Sequence, residues 1–272
     1  MNNTVPVMSM VCMAVSAVLS LAIPVLLMLY FRKKKNAELL PLFIGCAVFI
    51  LFALVLERGV HSLVLGSGTG EKILASPLLY ALYGGLMAGL FEECGRFAAF
   101  KTVLRGRLGN DANSLMYGAG HGGTEAVLIF GVTMISNIAI AAAINSGNTE
   151  VLSALSGAAG EDAAGALISQ LIETPSWMFL VGLLERCLAI VLHLSFSVIV
   201  WFGAKPHGRL WLLPLAIALH ALCDGIAAYA AASGVSTFAV EAVTACCAAV
   251  CAIIARGVWR KYSAVSTSPH EA

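Results

Sequence analysis

The chain has 272 residues, 60% of them hydrophobic and 11% charged, with a mean hydropathy of +0.90. A soluble domain carries roughly a quarter of its residues as charges, so this composition excludes one and marks an integral membrane protein. A formal net charge of +1 with no long basic run also excludes a nucleic-acid partner, because phosphate binding needs a concentrated cationic face.

About 20 apolar residues cross a bilayer core as a helix, and seven runs reach that length. The N-terminal stretch "MNNTVPVMSM" lacks the basic region of a secretory signal. The run after it is too long for a signal core, so it reads as a first span that stays, at about 5–31. The basic "RKKK" at 32–35 follows, then a second span at about 38–56 and a loop with Glu57, Arg58, His61, Glu71 and Lys72. The third span, 77–100, ends at Lys101, with Arg105 and Arg107 beyond it; the fourth covers 113–145. An acidic segment, 147–176, holds Glu150, Glu161, Asp162 and Glu173, and its Ala-rich part, 150–173, predicts a helix lying at the outer interface. The fifth span, 177–203, precedes Lys205 and Arg209; the sixth, 210–231, leads to the seventh, 236–256, with Arg256, Arg260 and Lys261 at its end.

Basic clusters thus follow the first, third, fifth and seventh spans, which predicts an N-terminus outside and a C-terminus in the cytoplasm. The expected fold is an all-α polytopic transmembrane bundle, a single integral membrane domain over 1–272, ending in a short polar tail at 262–272. Eight cysteines fall inside apolar runs without C-x-x-C spacing. They read as packing residues, not as a disulfide frame or a zinc ribbon.

An ionisable group in the middle of a membrane helix costs several kcal/mol unless paired or hydrated. This chain carries many: Glu92, Glu93 and Arg96 in the third span, His121 and Glu125 in the fourth, Glu185, Arg186 and His193 in the fifth, His220 and Asp224 in the sixth. Counting from the basic end of each helix at 1.5 Å per residue puts Glu92, His121, His193 and His220 all roughly 13–18 Å deep. Helical spacing adds direction, since i and i+4 share a face. Tyr117, His121 and Glu125 form one stripe, His220 and Asp224 another, Arg186, Ile190, His193 and Ser197 a third, and Glu92 faces Arg96. Glycines 85 and 89, and 118 and 122, stand at the small-xxx-small spacing that lets membrane helices approach closely. Against a functional site stands a plainer expectation, a buried ion pair at Glu92 and Arg96 with the histidines as interhelical hydrogen-bond glue. For Glu185 and Arg186, nearer the outer face, the structural reading leads.

A carboxylate and imidazoles in a semi-dry cavity activate water: the carboxylate takes a proton, and the imidazoles or a metal stabilise an oxyanion. That chemistry points to peptide-bond hydrolysis. No H-E-x-x-H helix is present, and "GSGTG" at 66–70 has the wrong spacing for a nucleophile elbow.

The motifs "EECGR" (92–96), "GAGHGGTEA" (118–126), "ERCLAIVLHLSFS" (185–197) and "HALCD" (220–224) together resemble the YhfC-like family of bacterial membrane peptidases. More distantly they look like the clan of CAAX-prenyl and bacteriocin-processing glutamic intramembrane proteases. The resemblance implies a bacterial cytoplasmic membrane protein that cleaves a membrane-embedded or membrane-associated polypeptide. It places the general base on Glu92 with His121, and oxyanion binding on His220 and Asp224, leaving Glu93, Arg96, Glu125 and His193 in support. Asp224 stands where the wider clan has Asn, so it must be protonated, paired with His220 or bound to metal. His121, Glu125, His193 and His220 also offer enough N/O ligands for a divalent metal such as zinc, which keeps a metalloprotease beside the glutamic type.

The same midplane Glu, His and Asp residues suit a proton or metal-ion transporter. No duplicated halves that would favour it are evident, and Pro214 in the sixth span is a helix-breaking position. A non-catalytic scaffold is the third expectation, one that would tolerate loss of the polar stripe.

Overall fold

The structure, a computed structural model, describes residues 4–207 and 209–263. Most of the tail expected at 262–272 lies outside these. No strand occurs among the described residues, as an all-α reading requires. The helices are α1 (Val7–Lys34), α2 (Leu40–Val48), α3 (Arg58–Leu65), α4 (Gly68–Leu74), α5 (Pro77–Lys101), α6 (Ala112–Glu125), α7 (Val132–Ser146), α8 (Thr149–Ala159), α9 (Glu161–Glu173), α10 (Met178–Ala204), α11 (Leu212–Ala232) and α12 (Thr237–Ser263). Two π-helical stretches, Phe49–Glu57 and Ala126–Gly131, join α2 to α3 and α6 to α7 without a break. Among the described residues six helices are long and apolar enough to span a bilayer, or up to seven if the bent pair α4 and α5 forms one span.

The boundaries differ from the sequence reading in one informative place. The second span continues through the π-helical stretch to Leu65, so Glu57, Arg58 and His61 are helical and not in a loop. A count of apolar residues stops at the first charge, whereas the helix carries Glu57 onward because His61, one turn later, bonds its carboxylate at 3.1 Å. Glu71 and Lys72 likewise sit on α4, which meets α5 at a bend of 109°. Ser76 caps α5 by accepting from the Leu79 amide, and Pro77 occupies the first turn, where its missing N–H costs nothing.

The chain divides into two compact units, one of residues 1–23 and 125–187, the other of 24–124 and 188–272. In the first, the α7 side chain of Asn145 bonds both the amide and the carbonyl of Val5, at 2.7 and 3.0 Å. Met13, Met134, Ala141 and Leu171 form its buried core. Gly147, at φ 67°, ends α7 in the left-handed conformation that glycine adopts without strain. Asn148 then caps α8 through the amides of Glu150 and Val151. The acidic segment expected to be helical is therefore two helices, α8 and α9.

The second unit is built on Phe100, Tyr117 and Trp201. Phe100 meets Tyr117 edge-on at 4.7 Å and Trp201 at 4.9 Å between ring centroids. Asp111 closes one end of this unit: it pairs with Lys205 and accepts from Trp201 Nε1 at 3.1 Å and from Ser263 at 2.9 Å.

The glycine spacings seen in the sequence are contact points. A Cβ on Gly85 would lie 2.3 Å from the Ala221 carbonyl oxygen, and one on Gly89 would lie 2.7 Å from that of Ile217, so α5 and α11 touch backbone to backbone. Gly85→Ala is therefore expected to force the two helices apart and cost about 1–3 kcal/mol, the range for overpacking. Gly84→Ala, whose Cβ meets nothing within 4 Å, is the matched control. Thermal unfolding in detergent should show a lowered midpoint for the first and an unchanged one for the second.

Candidate metal centre

Three helices of the second unit place a carboxylate and two imidazoles together. Glu92 comes from α5, His121 from α6 and His193 from α10, and all three are buried. Gly122 makes room for them: a Cβ there would stand 3.0 Å from the His193 Cβ, and one on Gly118 would stand 2.9 Å from the Leu194 Cα. These positions hold α6 close against α10, so the imidazoles approach with 4.8 Å between ring centroids.

One carboxylate oxygen faces both rings. Glu92 Oε2 lies 2.9 Å from His121 Nε2 and 3.7 Å from His193 Nδ1. One donor atom from each of the three residues fits within a mutual distance of 4.8 Å. Ligands about 2.0–2.1 Å from a tetrahedral zinc stand roughly 3.3 Å from one another, so these donors need only small shifts to enclose a cation. Phe49 closes one side, its ring edge-on to His121 at 5.3 Å.

Behind this group lies a buried ion pair. Arg96 donates from Nη1 to both oxygens of Glu93, at 2.7 and 2.6 Å, and both side chains are fully buried. Its other arm, Nη2, lies 3.1 Å from His193 Nδ1. His220 Nδ1 sits 2.7 Å from Glu93 Oε1, and its Nε2 is 3.4 Å from Asp224 Oδ2. Phe196 stacks flat on the His220 ring at 4.7 Å. Glu93 is thus the node joining α5 to α11, while Asp224, with 45% of its side chain exposed, forms the open end of this row.

The sequence reading paired Arg96 with Glu92 at i,i+4; the structure pairs it with Glu93 at i,i+3. The two spacings are equally good on a helix, and the contact of α5 with α11 decides between them. Glu125 belongs to the first unit. It pairs there with Arg186 at 2.5 Å, and Arg186 also bonds Glu185, so Glu125 is not among the grouped donors. Ser197 turns its hydroxyl to the backbone carbonyl of His193 at 2.6 Å.

Sequence reasoning gave His61 no role and passed over Glu57 and Tyr83. Glu57 is buried. Its Oε1 bonds His61 Nε2 at 3.1 Å, and His61 Nδ1 bonds the Tyr83 hydroxyl at 2.9 Å. The signal was the i,i+4 spacing of Glu57 and His61, hidden once the segment was read as a loop.

Fold and site together define a multi-pass helical membrane protein with a buried two-histidine, one-carboxylate group. Comparison with known proteins narrows the class. The sequence profile of the YhfC intramembrane metalloprotease family matches residues 19–245, and the chain belongs to that family. It is 40% identical over 218 residues to the "Uncharacterized membrane protein YhfC" of Bacillus subtilis (strain 168), covering 79% of this chain and 82% of that protein. No solved structure matches.

Proposed function

We propose that the protein is a membrane-embedded peptidase that hydrolyses a peptide bond in a membrane-embedded or membrane-associated polypeptide, with a divalent cation such as zinc held by Glu92, His121 and His193. The observation that carries this reading is the convergence of these three donors within 4.8 Å. Two imidazoles and one carboxylate, with a fourth position left for water or substrate, are the donor set of catalytic zinc sites. The family's name supports the same class of activity.

A cation bound there acts as a Lewis acid toward a substrate carbonyl. The remaining work falls to the chain's own side chains. Arg96 donates to both oxygens of Glu93 and from Nη2 to His193 Nδ1; a cation held through that nitrogen would displace the last bond and leave the two to Glu93. Glu93 fixes the ring of His220 from behind, as carboxylates behind working histidines do. His220 and Asp224 stand on the oxyanion side: the imidazole edge now turned to Asp224 is the donor that a substrate oxygen takes over. In this arrangement Glu92 is a ligand; the metal-free glutamic reading makes it the base. The shared position of its Oε2 between two imidazoles favours the ligand role.

The test is cleavage of membrane-spanning test peptides in proteoliposomes. Wild type is expected to cleave, to lose activity with a chelator and to regain it with zinc, while Glu92→Gln stays inactive. Metal or proton flux without cleavage would replace this reading with the transporter. Chelator-resistant cleavage lost in Glu92→Gln would favour the glutamic type.

A further inference from the structure

We propose that Glu57 is the general base of this site, with His61 and Tyr83 as its positioning residues. The inference rests on the peptidase reading above and extends it, because a carboxylate serving as metal ligand leaves the base unassigned.

Three carboxylates bonded in the row described above are already committed. Glu92 faces both imidazoles. Glu93 has both oxygens on Arg96 and one also on His220, so no oxygen is left to take a proton from water. Asp224 faces His220 and is half exposed, and among the described residues no second group bonds it. Glu57 differs from all three. It is buried, no Lys or Arg bonds it among the described residues, and its hydrogen bond to His61 uses only Oε1. Oε2 remains for a water. The chain Tyr83 hydroxyl, His61 imidazole, Glu57 carboxylate fixes the carboxylate through an imidazole anchored from behind, the arrangement that holds a working group in one orientation.

Local backbone geometry aims this carboxylate. Glu57 ends the π-helical stretch Phe49–Glu57, in which Phe49 meets His121 and Phe52 packs on Gly95, where a Cβ would lie 2.6 Å from its ring. An i→i+5 ladder winds about 4.4 residues per turn. Glu57 therefore falls roughly 50° from Phe52 and 65° from Phe49, between the residue that packs on α5 and the one that meets His121. On an α-helix it would point about 140° away from Phe52. π winding is rare in proteins. Here the winding puts Glu57 on the helix face that carries Phe49, which meets His121 at 5.3 Å.

The step balances as follows. The Glu57 carboxylate takes a proton from water, the water oxygen forms a bond to the peptide carbonyl carbon, and the carbonyl π pair moves onto oxygen. When that pair returns, the C–N bond breaks with its electrons on nitrogen, and the proton held by Glu57 passes to the leaving amine. One water is consumed, and the carboxylate is restored.

The test combines Glu57→Gln with a readout independent of turnover. Glu57→Gln is expected to keep the wild-type metal content and melting temperature while kcat falls about a hundredfold or more, the scale of general-base catalysis. Glu57→Asp should recover part of the loss. In metal-stripped wild type, dicyclohexylcarbodiimide, which reacts with carboxyl groups in apolar surroundings, is expected to modify Glu57 and spare Glu93, as read by peptide mapping. Wild-type kcat in Glu57→Gln, loss of its metal, or no adduct at Glu57 would each overturn the assignment. A wild type that cleaves nothing would instead defeat the peptidase reading itself, so the two failures are distinct.

Discussion

His121→Ala is expected to strip the protein of its divalent cation and to lower peptide cleavage at least about a thousandfold. Nothing nearby replaces the lost nitrogen. His193 is already in the group, and His220 is held by Glu93 at 2.7 Å and turned to Asp224. A carboxylate and a single imidazole bind zinc far more weakly than a three-residue set. Lewis-acid stabilisation amounts to several kcal/mol of transition-state energy, and each 1.36 kcal/mol is tenfold in rate. The informative contrast is His220→Ala, which removes no grouped donor. That variant should keep its metal and lose about 100–1,000-fold in rate, as removal of an oxyanion donor does. Metal analysis and cleavage on the same preparations separate the two. Equal metal content in wild type and His121→Ala would contradict the ligand assignment.

Arg96→Met is expected to be strongly destabilising, by about 3–5 kcal/mol. It leaves Glu93, fully buried in the wild type, without the guanidinium that bonds both its oxygens. Breaking a buried pair from one side costs about 3–5 kcal/mol, because the remaining charge has no compensation. The double variant Glu93→Gln/Arg96→Met removes both charges and should recover a large part of the loss. Unfolding of the two variants in detergent is the check; a single variant as stable as the wild type would show that the ion pair does not hold α5 to its neighbours.

What the sequence disclosed, and what it hid, follows from how helices encode position. Depth along a helix is a count of residues, so Glu92, His121, His193 and His220 could be placed at one level from the basic ends alone. Azimuth is less certain. Glu92 and Glu93 differ by about 100° around α5, and both i,i+3 and i,i+4 partners of an arginine are reachable. Tertiary contact chooses: the glycines at 85 and 89 bring α11 against α5, and His220 then joins Glu93 and not Glu92. Glu57 was harder still. A charge inside an apolar run reads as the end of a span, and no periodicity announces that a helix has changed from α to π winding at Phe49. His61, three-quarters buried and bonded on both ring nitrogens, is legible only once the helix is known to continue to Leu65. Glu125 shows the same limit: it lies on one α-helix with Tyr117 and His121, yet its carboxylate takes Arg186 as its partner.

The central claim is that Glu92, His121 and His193 hold a divalent cation. Its most direct test is elemental analysis of the purified wild-type protein, dialysed free of loosely bound ions and quantified against protein concentration. The account predicts about one divalent ion per chain, as a single three-residue site requires, and none in Glu92→Gln or His193→Ala. A wild-type protein that cleaves its peptide with no stoichiometric metal would contradict it.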